Sequence, residues 1–169
     1  MAYLALASYI YIDGFGVSET TFSFYFASNA AASILGPVMY MRFGAGSVKK
    51  VINVGIIVAI ISAILILTVG NVSPIIFLLS YVLYSIITSY FRPLISDLLL
   101  SATKTDVGAT SSVMNFVFTV IGSIGMVVGS LQWSSYTGGL GITMLIFIAL
   151  TTIVWFYLLK ARSIQFNWK

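Results

Sequence analysis

The sequence predicts an all-α integral membrane protein, a six-helix bundle, and three observations predict it. Apolar runs of bilayer-spanning length recur along the chain with only short polar connections between them. Charged residues make up 7% of the 169, against about 25% in a soluble domain. The basic residues gather in alternate connections. With 60% hydrophobic residues and a mean hydropathy of +1.08, the chain has too few charges to clothe a water-facing surface. It belongs in a bilayer.

A helix needs about 20 apolar residues to cross the hydrocarbon core. The first segment, 1–12, supplies only twelve, about 18 Å at 1.5 Å per residue, and reads as a truncated helix or one lying partly in the interface. Segments 21–41, 51–69, 74–102, 107–131 and 139–159 all reach the length of a span. Between them stand short connections: Asp13-Gly-Phe-Gly-Val-Ser-Glu19, with Ser18 placed to cap the next helix, then Gly44-Ala-Gly-Ser47, Gly70-Asn71, Lys104-Thr-Asp106 and Tyr136-Thr-Gly-Gly139. No linker or low-complexity tract divides the chain, so residues 1–169 form one membrane domain.

Charge sets the expected orientation. Arg42, Lys49 and Lys50 lie in or beside the second connection, Lys104 in the fourth, and Lys160, Arg162 and Lys169 at the C-terminal end. The odd connections hold no Lys or Arg, so the positive-inside rule puts both termini in the cytoplasm. The net charge of +4 is therefore topology and not an affinity for nucleic acid. Met1 leads straight into apolar residues, which is not the pattern of a secretory signal.

The chemistry available is narrow. With no Cys and no His, thiol nucleophiles, disulfides and the commonest metal ligand and general base are missing. The carboxylates Asp13, Glu19, Asp97 and Asp106 sit at segment ends. None lies mid-helix, where burial shifts a pKa enough for a proton relay. Asp106 reads as a helix N-cap and Asp97 as a partner for loop cations. No catalytic residue, metal or cofactor is expected, and an enzyme is disfavoured.

The second and fifth segments share a pattern, N-x-x-x-[ST]-x-x-G: Asn29, Ser33, Gly36 and, 86 residues on, Asn115, Thr119, Gly122. Offsets of four and three put these on one helical stripe, in lipid a surface for helix contact. The fifth segment extends its stripe through Gly125 and Gly129, a GxxxG that reads either as a dimer face or as close packing within the bundle. A three-plus-three repeat with odd connectivity inverts its topology, as in many secondary transporters. Asn29 and Asn115 are expected to mediate helix contacts and not substrate binding.

The fourth segment carries Tyr81, Tyr84, Ser85, Thr88, Arg92 and Ser96 within about 120° of circumference, at 100° per residue. An Arg inside a span costs at least about 2.5–3.5 kcal/mol on insertion scales, which leaves two readings. Arg92 faces a wet cavity or partner, or it snorkels to the cytoplasmic headgroups. Pro93 cannot donate to the Ser89 carbonyl, so a loosened turn is expected there. Tyr3, Tyr9 and Tyr11 add aromatic surface from the first segment.

Tyr11-Ile-Asp-Gly-Phe-Gly-Val-Ser18, Phe22 and Phe26-Ala-Ser-Asn29 resemble the seventh-to-eighth helix region of Bcr/CflA-type (bicyclomycin-resistance-like) drug:proton antiporters of the major facilitator superfamily. Gly36-Pro37 with Arg42-Phe-Gly44 and Lys49-Lys50 resembles a degenerate copy of the superfamily's cytoplasmic loop motif, with Met41 where an acidic residue is usual. Pro93 and Gly108-Ala-Thr-Ser-Ser112 resemble the tenth helix and the start of the eleventh. The resemblance implies the C-terminal six helices of a twelve-helix transporter in the cell membrane, partnered by an N-terminal six-helix half that carries the proton-coupling residue. It implies multidrug efflux by alternating access. The first and fourth segments would line the cavity, the second and fifth would pack on the other half, and the third and sixth would face lipid. Cavity candidates are then Tyr9, Tyr81, Tyr84, Thr88 and Arg92. The tyrosines offer stacking faces to an aromatic or cationic, drug-like amphipathic substrate, while Arg92 favours anionic groups. Rival readings are an uptake carrier for a metabolite, and a membrane scaffold or inert product of a split gene.

Overall fold

The computed structural model describes residues 1–44, 46–102, 106–131 and 133–161. Lys104, Arg162 and Lys169, on which part of the charge asymmetry rests, lie outside the described residues. The described residues are 88% helix. Its elements are α1 (Ala2–Ser8), a π-helical turn (Tyr9–Gly14), α2 (Glu19–Phe43), α3 (Val48–Val69), α4 (Pro74–Ala102), α5 (Val107–Gly129) and α6 (Tyr136–Ala161).

The helix starts follow capping chemistry. Ser18 caps α2 by accepting from the Thr21 amide, and Asp106 caps α5 by accepting from Ala109 at 2.9 Å, as the sequence suggested. α4 opens on Pro74, whose missing N–H is no loss at a helix start. Pro93 does not end it: α4 runs unbroken for 29 residues. α3 begins three residues earlier than its apolar run, which brings Lys49 and Lys50 into its first turn. The widest departure is in the first segment. Its second half winds as a π-helix, closed by the Phe15 amide donating to the Ile10 carbonyl at 3.0 Å.

Among the described residues, α3, α4, α5 and α6 are long and apolar enough to cross a membrane. α2 has the length, 25 residues, but Thr20, Thr21, Ser23, Ser28, Asn29 and Ser33 dilute its hydropathy. The outside of the bundle is strongly apolar: Phe24, Phe43, Val113, Phe116, Val127, Ile153 and Phe156 are all exposed. A contiguous surface of this kind suits lipid and not water.

Inside, α2 lies along α4, α3 fills the space between α4 and α6, and α5 packs on α1. Gly36 is where α2 and α4 come closest. A Cβ there would sit 2.5 Å from the Ile86 carbonyl oxygen and 2.6 Å from the Tyr90 amide nitrogen. Polar cross-links hold the rest. The Ser62 hydroxyl donates to the Ser80 carbonyl at 2.6 Å, and the Trp155 indole donates to Asn53 Oδ1 at 3.0 Å. At the other end of α3 and α6, Thr137 donates to Asn71 Oδ1. The aromatic core is built on the first segment: Tyr3, Leu6, Ile10 and Tyr11 are buried against Phe77 and Tyr81 of α4.

Candidate functional site

The site begins with two helical stripes that the fold turns toward each other. On α4, Tyr81 and Tyr84 lie a turn apart with ring centroids separated by 5.9 Å. Tyr3 of α1 stacks on Tyr81 at 4.0 Å and 16°. Two turns further along α4 stands Arg92. These residues line a cavity of about 310 Å³, closed on the other side by Phe118 and Ile121 of α5 and by Thr143, Met144, Phe147 and Thr151 of α6.

Arg92 also lines a second cavity of about 150 Å³ with Ser96, Met114, Asn115, Phe118 and Thr119. It therefore stands between the two chambers. Its side chain is exposed and makes no hydrogen bond or ion pair among the described residues. Asp97 accepts from the Tyr40 hydroxyl of α2 at 2.8 Å; Lys104, one of the loop cations expected to pair with it, lies outside the described residues. The Tyr3 hydroxyl is buried with no hydrogen-bond partner within bonding geometry among the described residues.

Tyr81, Tyr84 and Arg92 thus come together as their spacing suggested. The other two cavity candidates do not join them. Tyr9 is exposed, with its ring 5.6 Å from that of Tyr136, because six residues at the ordinary helical pitch turn it about 120° away from the face that carries Tyr3. Thr88 is half-buried, its hydroxyl donating to the Tyr84 carbonyl at 2.8 Å.

The small-residue stripes divide as well. Asn29 is buried on α2, but its Oδ1 has no partner; Ser33 is half-buried and bonds back to the Ala30 carbonyl. In the fifth segment, Gly122, Gly125 and Gly129 make room for the start of the chain: their added Cβ atoms would approach Met1, Phe147 and Ala2. The GxxxG is used for packing inside this bundle. Asn115 and Thr119 are exposed and touch the second chamber. Of the loop motif, Arg42 ends α2 and is exposed, while Gly44 closes the helix at φ 67°, a conformation that favours glycine. The Gly44 carbonyl accepts from the Tyr90 hydroxyl at 2.6 Å.

Sequence reasoning missed the α6 wall. Thr143, Phe147 and Thr151 recur every four residues along α6, and that polar–aromatic stripe was the available signal. The resemblance turns this helix to lipid; its outer face is indeed exposed and apolar at Ile146, Leu150 and Ile153, while the opposite stripe closes the cavity. Comparison with protein-family models, with curated proteins and with solved structures gives no match for this chain.

Proposed function

We propose that the chain is the C-terminal half of a proton-coupled efflux transporter of the major facilitator superfamily, resembling the Bcr/CflA-type antiporters. It works by alternating access in the cell membrane, with both termini in the cytoplasm. The observation that carries the reading is the cavity: three tyrosines and an arginine with no partner among the described residues line one space in a bundle whose outside is apolar. In a membrane protein, a cation within an apolar helix marks a substrate or ion path.

The helix pairing supports it further. If α1–α3 and α4–α6 are two triplets, each middle helix packs on the first helix of the other triplet, α2 on α4 and α5 on α1, and the third helices pack on each other. That reciprocity is what a three-plus-three inverted repeat requires. Rocking of such a half against a partner half would open the cavity to each side in turn, and protons would be handled by a residue of that other half.

Efflux of a fluorescent amphipathic dye from energised cells, with and without a protonophore, tests the proposal. The intact protein should lower dye accumulation, and collapsing the proton gradient should abolish that difference. Arg92→Ala should remove efflux at equal membrane abundance, and Arg92→Lys should not restore it, because an ammonium cannot reproduce the planar two-pronged contact of a guanidinium. Wild-type efflux from the Lys variant would return Arg92 to a headgroup-anchoring role.

A further inference from the structure

We infer that the larger cavity is a binding site for an aromatic monoanion, with the ring held at Tyr81 and Tyr84 and the anionic group at Arg92. The inference rests on the transport reading of the same cavity and names its ligand class.

Charge is the first argument. Among the described residues lining the cavity, Arg92 is the only ionisable side chain other than tyrosine, and the Met1 amino group beside it adds no negative charge. No carboxylate faces it there, and the carboxylate nearest in sequence, Asp97, is engaged by Tyr40. A guanidinium without a counter-charge is costly in a membrane interior, and an incoming anion removes that cost. An incoming cation adds to it, so the ammonium amphiphiles that tyrosine faces would otherwise attract are disfavoured here.

Shape is the second. Tyr3 backs Tyr81 in a near-parallel stack at 4.0 Å, which fixes the Tyr81 ring, and Met144 and Phe147 add apolar lining to the same cavity. A flat aromatic ring suits such a lining. Tyr84 and Arg92 are eight residues apart, about 12 Å along the helix, a span that a ring bearing a carboxylate bridges with help from the two side chains. The cavity volume of about 310 Å³ lies at the lower end of the roughly 300–1,000 Å³ found for small-molecule sites. One or two fused rings fit.

Three isosteric probes decide the matter: 1-naphthoate, 1-naphthamide and 1-naphthylmethylammonium, titrated into the intact protein in detergent by calorimetry. Naphthoate should bind about tenfold more tightly than the amide, the scale of one charge-assisted contact, and the ammonium should bind most weakly. Arg92→Gln should bring naphthoate and amide to within about threefold of each other, and Arg92→Lys should keep part of the preference. Equal or tighter binding of the amide or the ammonium to the wild type overturns the inference, as does binding of none of the three. A preference that survives in Arg92→Gln also overturns it. The wild-type ranking decides even if a variant fails to fold. Dye efflux read separately keeps the two ideas apart: efflux without anion preference sinks only the ligand class, and anion preference without efflux sinks only the transport reading.

Discussion

The Tyr40 hydroxyl donates to Asp97 Oδ2 at 2.8 Å, joining the last turns of α2 and α4. The two residues are 57 apart in sequence, and a second link lies beside them, from the Tyr90 hydroxyl to the Gly44 carbonyl. The Tyr40 and Tyr90 rings meet edge to face at 5.6 Å. This end of the α2–α4 pair is thus tied through polar groups, whereas its middle is held by backbone contact at Gly36.

Tyr40→Phe deletes the donor and keeps the ring. Because the bond is solvent-exposed, the loss should be about 0.5–1 kcal/mol, read as a lower unfolding midpoint in detergent. Asp97→Asn keeps an acceptor oxygen and should cost less than Tyr40→Phe. An unchanged midpoint for Tyr40→Phe would show that the bond contributes nothing.

Gly36→Ala should be among the most damaging small substitutions in the chain. Its Cβ would collide with backbone atoms of Ile86, Ser89 and Tyr90, which cannot rotate away as a side chain can, so overpacking should cost at least about 1–3 kcal/mol. Gly108→Ala is the control: its nearest atom, Asp106 Oδ1, is 3.5 Å away, and the better helix former should be neutral or slightly stabilising. Similar folded yields for the two variants would contradict the α2–α4 packing.

Asn29→Leu should leave folded yield close to wild type. The side chain is buried but its Oδ1 bonds to nothing in the described chain, so the swap removes an unsatisfied polar atom at similar volume. A fall in yield comparable to that of Gly36→Ala would mean that the amide has a partner beyond the described residues.

The charge asymmetry predicts orientation. Cysteines introduced at Ser101 and Ser134, in a chain with no native Cys, should label differently in intact cells with an impermeant maleimide. Ser134→Cys should react from outside, and Ser101→Cys only after permeabilisation. The reverse pattern would invert the topology.

Several features were legible in the sequence because they depend on residues close together in the chain. Helix lengths follow from runs of apolar side chains, and the caps at Ser18 and Asp106 follow from a side chain meeting an amide three residues on. The Tyr81–Tyr84–Arg92 stripe follows from the pitch of a single helix. For the same reason, Asn29, Ser33 and Gly36 could be recognised as one face before any neighbour was known.

What lies against each face was decided only by tertiary packing. Gly36 and Gly122 occupy matching places in the repeated pattern, yet one meets the backbone of α4 and the other the flexible side chain of Met1. Tyr9 and Tyr3 lie about 120° apart on one short helix; packing decides which faces the core, so Tyr9 is exposed beside Tyr136 and Tyr3 lies under Tyr81. The α6 wall of the cavity, and the bond from Tyr40 to Asp97, are likewise set by contacts between residues far apart in sequence. Local spacing defines which side chains share a face, but the identity of the facing surface depends on how six helices share one volume, and no single helix carries that information.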